Sequence, residues 1–222
     1  AARRFLRNRG AVVGLVLVAC LVAVAVLAPV LAPYDPVAQD LRARLRPPSA
    51  EHWFGTDEFG RDVLSRVVYG ARISLVTGLV PVLTGLVVGT AIGLLAGFYR
   101  GWIDDVLMRV MDVLLAFPSL LLALAVVGTL GPGMVNAVIA VAIVSVPGYA
   151  RLARSVVLAA REEEYVHAAR ALGAHDPRLM LKHVLPATLG PLTVQATLGI
   201  GFAILSMAGL SFLGLGVQPP TS

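Results

Sequence analysis

Residues 73–99, ISLVTGLVPVLTGLVVGTAIGLLAGFY, contain no Asp, Glu, Lys or Arg, and Gly85, Gly89, Gly93 and Gly97 recur through them at every fourth position. An α-helix rises 1.5 Å per residue, so about 20 apolar residues cross a hydrocarbon core roughly 30 Å thick. The stretch reads as a membrane span over residues 74–98. Fourfold spacing places the four glycines on one ridge, where another backbone can approach closely. Lipid supplies little hydrophobic drive between helices, so such a ridge predicts helix packing through van der Waals contact.

Working outward, residues 10–34, 113–150 and 184–222 are equally free of Asp, Glu, Lys and Arg. The four runs together make up more than half of the 222 residues, of which 58% are hydrophobic and 14% charged. A soluble domain carries about 25% charged residues and breaks its core helices with a polar face. The composition therefore predicts an all-α membrane protein, a polytopic helical bundle in a lipid bilayer. Run 10–34 holds one span, 10–31, stopped by Pro29 and Pro33. Run 113–150 is too long for one span and is interrupted by Gly128-Thr129-Leu130-Gly131-Pro132-Gly133, which reads as a turn. It predicts a third span over about 103–127, kinked at Pro118, and a fourth over about 134–158, kinked at Pro147-Gly148. A fifth runs from about 189 to 215 and ends before Pro219-Pro220. Five spans are expected.

The expected organisation is a cytoplasmic arm and first transmembrane helix over 1–34, an extracytoplasmic segment over 35–72, and a core domain over 73–222 with a cytoplasmic loop at 159–186. Loop arginines and the one lysine orient it. With the N-terminus inside, twelve Lys and Arg lie in cytoplasmic pieces, among them Arg3, Arg4, Arg7 and Arg9, against six outside. The net charge of +5 is thus a topology signal rather than a nucleic-acid surface, which would need basic residues clustered on a soluble face. Cys20 is the only cysteine and lies in an apolar run, so this chain forms no internal disulfide framework.

Asp105, Arg109 and Asp112 are spaced i, i+4, i+7 and predict an ion-pair cluster near the start of the third helix. No carboxylate falls at the centre of a span, which argues against a carrier driven by a buried acid. Between the fourth and fifth spans, Arg161-Glu162-Glu163-Glu164-Tyr165-Val166-His167-Ala168-Ala169-Arg170-Ala171-Leu172-Gly173 has acids first and Arg170 near the end. That order suits a helix dipole, and Gly173 is a natural stop. Asp176 followed by Pro177 reads as an N-cap starting a second short helix, closed by Pro186. Ala168, Ala169 and Gly173 stand where a solvated helix usually carries long polar residues. They predict either a docking face for another protein or a helix folded back on its own membrane domain.

His167-Ala168-Ala169, Gly173 and Leu185-Pro186 resemble the EAA loop of membrane subunits of ATP-binding-cassette importers, Glu-Ala-Ala, three residues, Gly, nine residues, Ile-x-Leu-Pro. The spacing matches throughout, with His167 in place of the Glu and His183 in place of the apolar residue. Phe54-Gly55-Thr56-Asp57-Glu58-Phe59-Gly60-Arg61-Asp62-Val63-Leu64-Ser65-Arg66, Asp112-Val113-Leu114-Leu115-Ala116-Phe117-Pro118 and Leu210-Ser211-Phe212-Leu213-Gly214-Leu215-Gly216-Val217-Gln218-Pro219-Pro220 further resemble the C-type permeases of the dipeptide, oligopeptide and nickel branch. The resemblance implies a type I importer transmembrane domain, normally of six spans, in a bacterial inner membrane. It implies a sixth span after Pro219-Pro220, which these residues do not include, and the first residue is not Met, so the natural ends are expected beyond this sequence.

The resemblance also implies that the helix over 162–173 couples to a separate ATPase through Glu164, Tyr165, Ala168, Ala169, Leu172 and Gly173. The implied partners are a homologous second permease, two ATPase subunits that hold ATP and Mg, and an extracytoplasmic substrate-binding protein. No catalytic residue, metal or cofactor is expected on this chain, and no nucleic acid. Lys182 is followed by His183 and lacks the preceding glycines of a phosphate-binding loop, so the chain is not its own ATP motor. Peptides are the expected cargo, with nickel or another small solute as the alternative. A membrane-embedded metallohydrolase using His52, His167, His175 or His183 is the reading from another class, and no His-Glu-x-x-His pattern supports it.

Overall fold

The computed structural model describes residues 9–216. The basic arm at Arg3, Arg4 and Arg7 and the closing Pro219-Pro220 lie outside the described residues. Among the described residues the regular elements are helices, apart from one isolated β-bridge between Thr56 and Asp62. The described residues divide into two compact units, the first ending at Val76 and the second beginning at Thr77.

In the first unit, α1 (Arg9–Val26) is apolar on every side. Val13, Leu17 and Val18 are exposed and only Ala25 is buried, which suits a helix solvated by lipid. The short α2 (Ala28–Leu31) carries Pro29 in its first turn, where a missing N–H costs no hydrogen bond. Segment 35–62 is built from turns held by side chains. The Asp57 carboxylate accepts the backbone N–H groups of Phe59 (2.8 Å) and Arg61 (3.0 Å), Arg61 Nε (2.7 Å) and Arg66 Nη1 (2.5 Å). Asp62 accepts both the N–H and the hydroxyl of Ser65, at 2.8 and 2.7 Å.

That Asp62 contact sits at the start of α3 (Val63–Tyr99), which begins eleven residues before the expected span. Hydropathy marks where the apolar run begins, whereas Asp62 accepting from Ser65 caps the helix well before it. At 37 residues the helix is about 55 Å long, more than a hydrocarbon core requires.

The second unit contains the rest of the bundle. The third span is not the gently kinked helix expected. α4 (Gly101–Leu115) and α5 (Ser119–Leu130) meet at 92° across Ala116, Phe117 and Pro118. Pro118 lacks an N–H and disfavours helical geometry at Phe117, so the chain turns there instead of bending. Among the described residues four helices are long and apolar enough to cross a membrane, and the count reaches five when this bent pair is one span. Gly131 (φ +91°) and Gly133 (φ +140°) then make the turn into α6 (Met134–Ala160), which continues through Pro147.

The second short helix after Gly173 does not close at Pro186. His175, not Asp176, is the N-cap of α8 (Asp176–Arg178), and a π-helical stretch (Leu179–Val184) leads into α9 (Leu185–Phe212). Pro186 falls in the first turn of α9, where proline is tolerated because its N–H would have no intrahelical partner. Buried Val82, Val127, Val141, Leu192 and Met207 join α3, α5, α6 and α9 in one core. Leu94, Val157, Val166 and Leu179 form a second at the opposite end of α6.

The glycine ridge of α3 faces α6. A Cβ at Gly85 would lie 2.0 Å from Ser145 Oγ, at Gly89 2.6 Å from Tyr149 Cβ, at Gly93 2.3 Å from the Ala150 carbonyl oxygen, and at Gly97 2.8 Å from Val157 Cγ1.

Candidate functional site

The connection between α6 and α9 is a short helix, α7 (Glu164–Ala171), pinned along one side. Val166 is 0% exposed and packs with Leu94, Phe98, Val157, Leu179 and Val184. Ala169 is half-buried against the same cluster, whereas Ala168 is exposed. The two alanines therefore serve different faces: Ala169 lets α7 lie close to its own bundle, and Ala168 belongs to the outer surface. Glu164, Tyr165 and Leu172, which is 88% exposed, share that surface.

Gly173 ends the helix at φ +85°, a left-handed conformation that glycine adopts without Cβ strain. Its N–H donates to the Arg170 carbonyl (2.9 Å), and Ala174 N–H donates to Ala169 O (3.1 Å), the paired bonds of a Schellman stop. At the other end Glu162 lies 3.3 Å from Arg100 Nη2, 3.3 Å from Arg161 Nε and 3.8 Å from His167 Nε2. Arg161 also donates to the Phe98 carbonyl and rests over the Phe98 ring. Tyr165 donates its hydroxyl to His183 O at 3.3 Å, linking α7 to the π-helical stretch. His167, at the position of the motif Glu, thus faces Glu162 at the surface.

Of the acidic cluster, Asp105 and Arg109 are exposed, and Arg109 forms no ion pair among the described residues. Asp112 pairs across to Arg151 of α6 at 2.6 Å. The stronger contact uses Asp104, which sequence reasoning missed: its two carboxylate oxygens accept from Nε and Nη2 of Arg154, both at 2.5 Å. Helical spacing reveals partners on the same helix, and these partners are on another.

Against known families, residues 89–222 match the profile of the binding-protein-dependent transport system inner membrane component, and residues 1–48 match the N-terminal TM domain of oligopeptide transport permease C. The chain belongs to this permease family. It is 50% identical over 214 residues to the dipeptide transport system permease protein DppC of Alkalihalophilus pseudofirmus, covering 96% of this chain and 70% of that relative. Identity to the di/tripeptide transport system permease protein DppC of Pseudomonas aeruginosa is 51% over 223 residues, 98% of this chain and 74% of the relative. The glutathione transport system permease protein GsiD of Pectobacterium atrosepticum is 47% identical over 219 residues, 98% and 73% respectively.

Membership makes this chain a transport permease of the importer class and an inner membrane component, in place of the metallohydrolase reading. His52 hydrogen-bonds Asp62 through Nδ1 at 3.0 Å, and His167 faces Glu162. Among the described residues no three His, Cys, Asp or Glu side chains gather as a metal-ligand set.

Segment 35–62 is the other preorganised region. Burial alone would raise the Asp57 carboxyl, but the N–H groups of Arg61 and Phe59 and the guanidinium groups of Arg61 and Arg66 outweigh it and lower its pKa from 3.8 to about 2. Asp62 is lowered likewise, against burial, by Ser65 and His52. Tyr34 completes this cluster, its ring 4.9 Å from that of His52 and its N–H donated to Ser65 Oγ at 3.1 Å.

Proposed function

We propose that this permease carries short peptides inward across the inner membrane, receiving them from an extracytoplasmic binding protein and drawing on ATP hydrolysis by separate subunits. The observation that carries the coupling part of the reading is α7, held on its inner face by Val166 and Ala169 and offering Glu164, Tyr165, Ala168, Leu172 and Gly173 outward. A helix so placed can transmit force: movement of a partner seated on the outer face shifts the Leu94–Val157–Val184 core beneath it. Coupling requires that the partner grip this face differently in its two states, because a ligand with equal affinity for both shifts neither.

Peptide cargo is supported by the relatives, named for dipeptides, di/tripeptides and glutathione, all compounds joined by amide bonds. The N-terminus would be cytoplasmic, which puts α7 on the ATPase side and the Asp57–Asp62 segment on the side of the binding protein. The permease would work beside a homologous second permease and two ATPase subunits holding ATP and Mg, with no cofactor of its own. Glu162, ringed by Arg100, Arg161 and His167, fixes the α6–α7 turn, and Asp105, Arg109 and Asp112 lie on α4, the helix that follows Arg100.

The test is Gly173→Asp in the complete transporter, reconstituted in vesicles with binding protein and peptide outside and ATP enclosed in the lumen with the ATPase side. Peptide uptake and co-purification of the ATPase should both fall while the permease still inserts. Unchanged uptake would remove α7 as the docking element.

A further inference from the structure

A cleft of about 270 Å³ opens where the α4–α5 turn, α6 and α9 come together beside Pro81 of α3. Its walls carry Ser119, Ser145, Tyr149, Gln195 and Ser206, and no charged residue. Of these, the Ser145 hydroxyl donates to the Ala142 carbonyl at 2.8 Å. Gln195 lies ten residues along α9, about 15 Å from its start and within the charge-free run 184–222.

Among the described residues, two of these groups have no hydrogen-bond partner. Tyr149 is 3% exposed, and among the described residues its hydroxyl makes no hydrogen bond. The hydroxyl occupies space left by Gly199: a Cβ there would lie 2.4 Å from Tyr149 Oη. The Gln195 amide is exposed and likewise makes no hydrogen bond among the described residues. Lipid cannot satisfy either group, and an amide facing hydrocarbon without a partner is strongly disfavoured. Water, a polar solute, or a polar group of a partner subunit or of residues outside those described must reach them, and the open cleft beside both gives a solute that access. Ser119 adds a third donor at the first turn of α5, where Leu122 N–H makes the first bond back to the Pro118 carbonyl (3.0 Å) and the preceding N–H groups are left over.

We propose that this cleft is the chain's own contact with the transported peptide, binding the peptide backbone through the Tyr149 hydroxyl, the Gln195 amide and Ser119. This rests on the transport reading above and names the residues that line the path. Peptide carbonyls accept from Tyr149, Ser119 and the Gln195 NH₂ group, and peptide N–H groups donate to the Gln195 oxygen. A wall without charge holds amides of any side-chain sequence and does not trap a terminal ammonium or carboxylate. The open side, lined by Ser119, Gln195 and Phe202 (73% exposed), is where the solute enters.

The experiment uses the complete transporter in proteoliposomes. Gln195→Cys and Ser119→Cys are made singly in a Cys20→Ser background, with Ala140→Cys, at a fully buried position, as the unreactive control. A water-soluble anionic methanethiosulfonate should label residues 195 and 119 in at least one nucleotide state, and saturating transported dipeptide should slow the labelling severalfold. Tyr149→Phe should lower the maximal uptake rate about fivefold, the loss of one hydrogen bond, with ATPase association unchanged. Vesicles that take up dipeptide while both cysteines stay unlabelled in every state would overturn the cleft and leave the transport reading standing. Labelling that dipeptide does not slow would overturn the peptide contact. Labelling of the cysteine variants, with no uptake of any peptide by the unsubstituted transporter, would instead remove peptides as the cargo.

Discussion

Asp104 of α4 and Arg154 of α6 are joined by two hydrogen bonds of 2.5 Å, a fork-to-fork pair between helices fifty residues apart in the chain. It fixes both distance and rotation of α4 against α6, as a planar guanidinium meeting a carboxylate does. α4 leads directly into the 92° turn at Pro118, so the pair also sets where that turn falls.

Asp104→Asn should therefore destabilise the purified permease by about 1–3 kcal/mol, less than a fully buried pair because Arg154 is partly exposed. Arg154→Lys keeps the charge but loses the fork and should cost about half as much. Thermal unfolding in detergent measures both. Equal stability of all three proteins would mean that the apolar contacts of Met111 with Val146 and Ala150 hold α4 alone.

The glycines of α3 are expected to differ from other glycines of the same bundle. At Gly93 the obstacle to a Cβ is the Ala150 carbonyl oxygen at 2.3 Å, which is backbone and cannot rotate away. Gly93→Ala should cost about 1–3 kcal/mol or more and sharply reduce folded yield. Gly148→Ala and Gly190→Ala meet nothing within 4 Å and should express normally. Quantitative yield after size-exclusion chromatography separates the two outcomes.

Much of the bundle was readable because a membrane enforces a simple rule: charge-free runs of sufficient length become helices. The Gly85–Gly97 spacing was visible for the same reason, since fourfold periodicity belongs to one helix. What escaped reading depends on geometry between elements or on a single atom. Pro118 and Pro186 are both prolines between helical segments, yet one turns the chain by 92° and the other lies inside a continuous helical stretch, because only Pro186 falls in a first turn. Asp104 looked no different from Asp105 until Arg154 of α6 was placed beside it. Ala168 and Ala169 are adjacent in the motif, and only the burial of Val166 reveals which of them faces the bundle. Tyr149, Gln195 and Ser119 are far apart in sequence and carried no pattern to join them.

On α7 the two faces give opposite expectations. Val166→Asp buries a charge in the Leu94–Val157–Leu179 cluster and should unfold the connection, lowering stability and uptake together. Leu172→Glu changes a residue that is 88% exposed and should leave thermal stability within about 0.5 kcal/mol. It should nevertheless reduce ATPase association and uptake. A stable Leu172→Glu permease with full uptake would move the docking contact elsewhere.

The Asp57 cluster predicts an acid response confined to residues 35–62. The carboxyl pKa is lowered from 3.8 to about 2 in the folded state, so it binds its proton less readily folded than unfolded. Its stabilising contribution is complete above the unfolded value and is lost as pH falls from about 4 towards 2. Asp62 is shifted in the same direction and adds to the effect. Hydrogen exchange at the Phe59 and Arg61 amides, which donate to Asp57, should be slow at pH 5 and, corrected for intrinsic rate, accelerate through that window. Asp57→Asn should exchange fast at pH 5 and lose most of the pH dependence, keeping only the Asp62 part. Protection that is flat from pH 5 to 2 in the unsubstituted chain would show that the backbone turns, rather than the carboxylate, hold this segment together.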